Sequence, residues 1–182
     1  VYKVPSNLTL AQWVYDFIQR LEQIEEASRA AEAGGPPSLK KFKVWMGGLF
    51  MPEAYITATR QSVAQSNSWA LEELILDVSF KESEADDPCA FMVSGLLLMG
   101  GKNAGGRKIV VSNDIETPLP TVLFKWIRTC DKPKFTQGSV DLPLYIASDR
   151  SVLLYTLTFE SEFPEPLFYK RGVAVLTSSL GK

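Results

Sequence analysis

Apolar residues recur at every third or fourth position near the start of the chain. They are Leu10, Trp13, Val14, Phe17, Ile18, Leu21 and Ile24. This spacing draws one stripe along an α-helix. Thr9 and Gln12 form the two ends of a capping box, and the glycines and prolines at 34–37 end the pattern. We therefore predict a helix of about 25 residues whose stripe lies against a partner surface.

Two shorter patterns follow this helix. Apolar and polar residues alternate across residues 40–50, which predicts a short strand that ends at Gly47. Pro52 and Glu53 are typical of the first turn of a helix. That second helix is predicted to run for roughly four turns and to end at Asn67.

From Leu74 onward the period becomes that of β-strands. We predict about seven of them, at residues 74–80, 91–99, 108–112, 122–129, 142–147, 152–159 and 173–177. Short connections favour antiparallel pairing. The predicted fold class is α+β, with amphipathic helices followed by a barrel-like or sandwich-like antiparallel sheet of about six or seven strands. Residues 1–70 form a helical subdomain with one short strand in this interpretation, and residues 71–182 form a β subdomain.

Composition narrows the possible functions. The 182 residues are 46% hydrophobic and 22% charged, with a net charge of -2 and no histidine. This is typical of a folded domain. No apolar run is long enough to cross a bilayer and no leader pattern opens the chain, so we expect an intracellular protein without membrane contact. The missing imidazole removes the usual general base and the commonest metal ligand, so no catalytic or metal site is predicted.

Other candidate chemistry is weak. Residues 95–103, GLLLMGGKN, resemble a phosphate-binding loop but place Asn103 where a magnesium-binding hydroxyl belongs, so a hairpin is expected there. Acidic residues that are adjacent in the sequence are interpreted as solvated surface, because two carboxylates that catalyse hydrolysis must face the same pocket. The basic clusters are either solvated faces or partner contacts, and nucleic acid is not expected. Cys89 and Cys130 are both expected to be buried thiols.

Three segments carry a family resemblance. Residues 47–61 read GGLFMPEAYITATRQ and residues 64–74 read AQSNSWALEEL. Residues 168–176 read FYKRGVAVL near the end of the sequence. Together they resemble the C-terminal region of cytoplasmic dynein heavy chains. Axonemal heavy chains usually have a more aromatic version of the segment around Pro52, and the loops at 81–88, 102–107 and 131–141 match weakly.

The resemblance implies a regulatory role without catalysis. In that family, ATP hydrolysis with its magnesium belongs to the AAA+ ring modules, and microtubules bind at the stalk tip. The implied partner of this segment is therefore the AAA+ ring of the same heavy chain, with no cofactor of its own and a cytoplasmic, cytoskeleton-associated location. Packing on the ring would tune the processivity and force of minus-end-directed motility. The alternatives are a free-standing protein-binding β module, with an exposed strand edge as its binding surface, and a carboxylate-based hydrolase.

Nine residues are candidates for structural or ring-docking roles. They are Trp13, Phe17, Leu21, Tyr55, Arg60, Gln61, Trp69, Tyr169 and Arg171. The stripe on the first helix either faces the ring or packs inside the domain, and Phe17→Asp should cost several kcal/mol if it is core. For Arg60 and Gln61, a capping or buried hydrogen-bond role is preferred to ring contact.

Overall fold

Helices and strands occupy most of the described residues. A computed structural model describes residues 4, 6, 8–34, 42–80 and 86–178. The α-helices in these ranges are α1 (Leu10–Gly34), α2 (Pro52–Asn67) and α3 (Glu165–Arg171). The strands there are β1 (Lys43–Trp45), β2 (Leu74–Ser79), β3 (Ala90–Ser94), β4 (Leu96–Asn103), β5 (Ile109–Pro118), β6 (Val122–Arg128), β7 (Ser139–Tyr145), β8 (Leu153–Glu160) and β9 (Ala174–Thr177).

The two predicted helices are confirmed, and so is the capping box at the start of α1, whereas the predicted stop signal at residues 35–37 lies outside the described residues. The Thr9 N–H donates to Oε1 of Gln12 at 2.9 Å, and the Gln12 N–H donates to Oγ1 of Thr9 at 3.2 Å, which is the capping box. Helix α1 has the expected 25 residues. Helix α2 begins at Pro52 and ends at Asn67, and the residue that follows, Ser68, has a left-handed conformation. None of the helices in the described ranges is long and apolar enough to span a membrane.

The strands form two sheets that pack in a sandwich-like α+β fold, as predicted. One sheet has the order β1-β3-β6-β2 and the other has β5-β4-β9-β7-β8. The β1–β3 and β7–β9 pairs are parallel, whereas the sequence favoured antiparallel pairing throughout. Longer connections make these pairs possible, because α2 and β2 lie between β1 and β3 and a helix lies between β7 and β9. Strand β1 joins the first 70 residues to the sheet of the later part.

The hydrophobic core lies between the sheets. Fully buried side chains include Phe124 and Trp126 from one sheet and Leu98 and Phe159 from the other. Helix α3 adds Phe168, which is also fully buried. Among the described residues, α1 contributes no side chain to this core. The longest helix of the domain therefore lies on its outside.

One predicted strand is divided by a glycine. Residues 91–99 were expected to be continuous, but β3 and β4 meet at Gly95, whose φ is +68°. A Cβ at this position would lie 2.5 Å from the Trp45 ring. The glycine therefore permits both the turn between the strands and the close approach of the tryptophan.

Three further expectations from the sequence can be compared with the fold. The segment resembling a phosphate-binding loop forms β4 and a hairpin turn, where Asn103 binds the carbonyls of Gly106 and Lys108. Cys89 is buried as expected, but Cys130 is exposed because it lies in a 3₁₀ turn beyond the end of β6. The acidic run at 82–85 and the basic residues at 40 and 41 lie outside the described residues.

Candidate functional site

Helix α1 is attached to the domain by a buried glutamine. Gln23 is only 7% exposed, and Oε1 of its side chain accepts the Trp45 N–H at 2.7 Å. The Gln23 Nε2 donates to the Trp45 carbonyl at 3.1 Å. The Gln23 side chain thus binds both the N–H and the carbonyl of Trp45 in the edge strand β1, as a neighbouring strand would.

The Trp45 side chain extends this attachment. The guanidinium of Arg20 lies 5.3 Å from the Trp45 ring centre, and Asp16 holds the same guanidinium at 2.7 Å. On the other side, Nε1 of Trp45 donates to the Ser178 carbonyl at 3.0 Å. Trp45 therefore joins α1 to the C-terminal end of the described residues through stacking and hydrogen bonds.

The apolar stripe of α1 points away from the domain. We name as the α1 seam five of its residues that follow each other at intervals of four and three: Leu10, Val14, Phe17, Leu21 and Ile24. Their exposed fractions range from 42% to 64%. The neighbouring Ile18 is 44% exposed. Alternating intervals of four and three keep these side chains on one line, as at the contact line of a coiled coil. Exposed apolar surface of this kind is often found where proteins bind partners.

Two of the three α1 candidates are seam residues. Trp13 lies between the seam and the attached face, is half-buried, and stacks with Phe17 at 6.4 Å between ring centres. Phe17 and Leu21 are exposed. The interpretation of the stripe as core is therefore wrong for this domain, because the polar face of α1 makes the contacts with β1 instead.

Three candidates on or near α2 have structural contacts. Nη2 of Arg60 donates to the carbonyl of Leu71 at 2.6 Å and to that of Leu74 at 3.1 Å. Tyr55 packs edge-on against Phe91, and burial raises the pKa of Tyr55 to about 12. The half-buried Trp69 lies beneath the guanidinium of Arg128 at 5.4 Å. These contacts connect α2 and the turn after it to the first sheet.

The remaining candidates are spread over the surface. Gln61 is exposed on α2. Tyr169 is exposed, and a hydrogen bond to Glu165 raises its pKa to about 12. Arg171 donates to Asn113 of β5 at 3.0 Å. In the described ranges, no hydrogen bond or ring contact brings the α1, α2 and α3 candidates into one site.

A cleft of about 620 Å³ lies beside the first sheet and is lined by ion pairs. Asp77 pairs with Arg107 there, and Asp87 pairs with Lys125 at 2.6 Å. Burial opposes ionisation of Asp87, but hydrogen bonds from Lys125 and the Cys89 N–H outweigh it and lower its pKa. Each of these two carboxylates thus has a cationic partner, which is unlike the protonated general acid of a hydrolase.

Sequence reasoning missed the two residues that orient α1. It places Gln23 on the solvent face of the helix and Trp45 on the polar side of its strand. A second row of α1 residues at helical spacing lies on the face that makes this contact, namely Asp16, Arg20, Gln23 and Ala27, and all four are buried or half-buried. Polar side chains in such a row do not indicate burial from sequence alone.

The comparisons with known proteins agree with the resemblance noted in the sequence. Residues 1–177 match the family described as the C-terminal domain of the dynein heavy chain. The protein belongs to this family. The dynein domain is 41% identical to the cytoplasmic dynein heavy chain of Drosophila melanogaster over 98% of its own length, and 37% identical to that of Caenorhabditis elegans over 98%. It is 32% identical to that of Dictyostelium discoideum over 96%. The dynein domain spans about 4% of the length of each of these relatives.

Proposed function

We propose that this dynein domain is a regulatory, non-catalytic element that packs on the AAA+ ring modules of its own heavy chain through the α1 seam. By doing so it tunes the processivity and force of minus-end-directed movement on microtubules. The observation that supports this proposal is the orientation of α1. Its polar face is fixed to β1 by Gln23, while five apolar side chains of the seam face outward. An outward apolar line on an anchored helix is suited to docking.

A docked domain can bias a motor only through a difference in binding energy. If the seam binds the ring more tightly in one conformation than in another, it shifts the balance between them by that difference. Full burial of an aliphatic or phenylalanine side chain contributes ~1.5–3 kcal/mol, and the seam residues still have about half of that to gain. Five such residues therefore leave room for a coupling of about 1–3 kcal/mol, the usual range for allosteric effects.

In this proposal ATP and magnesium are bound by the ring modules, and the domain needs no cofactor. The microtubule is reached only through the full motor, in the cytoplasm, without nucleic acid or membrane contact. The hydrolase alternative has little support, because the two carboxylates Asp77 and Asp87 in the cleft are each paired with a cation.

A free-standing module that binds partners along a strand edge is the second candidate. Two of the edges are poorly suited to it. The outer edge of β1 is occupied by Gln23. Strand β5 pairs at Glu116 and again at Val111, but residues 112–115 bulge out from β4 between these points. A bulge interrupts the row of backbone groups that an added strand needs. These features favour docking through α1.

The test uses the intact heavy chain in single-motor assays. The double variant Phe17→Asp/Leu21→Asp places two charges on the seam, and Tyr15→Asp/Gln19→Asp places two on other faces of the same helix. We expect the seam variant to change run length or stall force while the ring still hydrolyses ATP, and the control to behave as wild type. If both variants leave run length and stall force unchanged, the regulatory proposal fails.

A further inference from the structure

Trp45 binds two distant parts of the chain through two different parts of the same residue. Its backbone N–H and carbonyl are bound by Gln23 of α1, at 2.7 and 3.1 Å. Its indole Nε1 donates to the carbonyl of Ser178, the residue that follows β9, at 3.0 Å. Gln23 and Ser178 lie near opposite ends of the sequence, and the hydrogen bonds of both depend on where Trp45 is placed.

The indole ring of Trp45 lies in a slot that two glycines leave open. A Cβ added at Gly48 would lie 2.2 Å from the ring, and one added at Gly95 would lie 2.5 Å from it. Trp45 is only 8% exposed. Because protein interiors are close-packed, a ring enclosed in this way has little freedom to turn independently of its backbone. A shift of the Trp45 backbone therefore also shifts its indole Nε1.

Ser178 is fixed at the edge of the same slot. Its N–H donates to the Gly95 carbonyl at 2.7 Å, and its own carbonyl accepts the bond from Trp45. A Cβ added at Gly47 would lie 1.8 Å from this carbonyl oxygen, so the oxygen packs directly on the Gly47 backbone. The strand before Ser178, β9, is buried along its whole length. The position of Ser178 thus depends on residues 45–47 as well as on β9.

The attachment of α1 is concentrated at Trp45. Among the described residues of α1, Gln23 alone is buried, and it binds the Trp45 backbone. The guanidinium of Arg20 adds a contact with the Trp45 ring, at 5.3 Å from its centre. A helix held mainly at one point has an attached and a detached state, and a small change at that point shifts the balance between them.

We infer that Trp45 couples the attachment of α1 to the position of Ser178. When Gln23 fixes the Trp45 backbone, the indole Nε1 meets the Ser178 carbonyl; when Ser178 is displaced, the indole loses this partner and α1 is held less firmly. A ligand or modification that displaces Ser178 therefore loosens the seam without touching α1. The coupling is a property of the domain itself and does not require the seam to bind the AAA+ ring.

Amide exchange in the intact heavy chain tests the effect of α1 on Ser178. Gln23→Leu removes both bonds to the Trp45 backbone. The Ser178 amide, followed in overlapping peptides across the end of β9, should then exchange about fivefold faster, which is the effect of weakening one hydrogen bond. Gln19→Leu is the matched control on the same helix and should leave the Ser178 amide within about twofold of wild type. Equal Ser178 rates in the two variants overturn the coupling.

Gly47→Ala tests the effect of Ser178 on α1. The three atoms nearest to the added Cβ belong to Ser178 and Trp45, so the methyl group acts on their hydrogen bond. The α1 amides around Gln23 should exchange about fivefold faster. Gly101→Ala is the matched control, because its Cβ crowds Leu98 at 3.1 Å in the other sheet; it should leave the α1 amides within about twofold of wild type.

Both effects are required, because a coupling between two sites is reciprocal. An effect in one direction alone overturns the inference, and so does equal α1 exchange in Gly47→Ala and Gly101→Ala. The amides of β6 report on the rest of the fold. If they also exchange faster in Gly47→Ala, Trp45→Phe takes its place, since it removes the indole N–H and keeps the backbone bonds to Gln23; unchanged α1 exchange in that variant overturns the coupling. Run length and stall force play no part in these measurements, so the coupling and the docking function fail separately.

Discussion

Replacing Gln23 by leucine tests how α1 is held on the domain. Leucine keeps most of the volume of the side chain but can neither accept the Trp45 N–H nor donate to the Trp45 carbonyl. The two hydrogen bonds measure 2.7 and 3.1 Å, and both residues are buried. The substitution therefore leaves one buried backbone donor and one buried acceptor without partners.

The expected cost follows from these two groups. Each intramolecular hydrogen bond contributes about 0.5–1.5 kcal/mol net, and an unpaired buried group costs about 1–3 kcal/mol. If α1 detaches from β1 in the variant, water can bind the Trp45 backbone groups in place of Gln23. The loss of stability therefore cannot exceed the free energy that holds α1 against β1. We expect about 2 kcal/mol, which corresponds to roughly a thirtyfold shift in the equilibrium between attached and detached α1.

Hydrogen–deuterium exchange of the 182-residue protein measures this equilibrium directly. In Gln23→Leu, the α1 amides should exchange roughly thirtyfold faster, while the amides of β6 and β9 keep their wild-type rates. Gln19→Leu is the matched control, because its side chain bonds only to Glu22 within the described helix. If α1 amides in the two variants exchange at the same rate, Gln23 does not hold the helix and the attachment described above is wrong.

Three further predictions concern stability. Phe17→Asp should change the free energy of unfolding by less than about 1 kcal/mol in thermal or urea melts, because the side chain is 44% exposed; a loss of several kcal/mol would mean that the seam is core after all. Gly95→Ala should cost at least about 2 kcal/mol in the same melts, since it combines a left-handed φ with a collision on Trp45, and a variant as stable as wild type would refute this. Folding lowers the pKa of Asp87, so the ionised carboxylate stabilises the fold at pH values above the unfolded pKa of about 4, and this stabilisation is lost as the pH falls through the folded pKa. Asp87→Asn should therefore flatten the acid side of a plot of unfolding free energy against pH. An unchanged acid side would contradict the lowered pKa of Asp87.

Local patterns predicted the helices well because helix signals are contained within a few residues. The capping box at Thr9 and the proline at residue 52 both mark true helix starts. Most strand positions were also near their true places, but β5 continues to Pro118, well beyond its predicted end at Ser112. The parallel pairing of β1 with β3 was missed, because pairing depends on how distant segments meet, and periodicity carries no information about that.

The α1 seam was likewise predicted only in part from the sequence. The periodicity of Phe17, Leu21 and their neighbours predicted an apolar stripe, and the stripe exists. The sequence left open whether it faces a partner or the interior. That choice depended on Gln23 and Trp45, which are 22 positions apart in the sequence and make contact only in the folded domain. Arg60 similarly binds the carbonyls of residues 71 and 74, which no local pattern could reveal.

By itself, the sequence determined the limits of α1 and α2, the change to β-strands after residue 74, the α+β class and the family. These depend on short-range periodicity, on turn residues and on the segments at 47–61 and 168–176. The tertiary structure decided which face of α1 meets the domain. The reason is physical: an amphipathic helix can bury either side, and here the buried backbone of Trp45 requires two hydrogen bonds that the side chain of Gln23 supplies. Because Gln23 binds the backbone of Trp45, the polar face of α1 lies against the domain and the apolar seam is exposed.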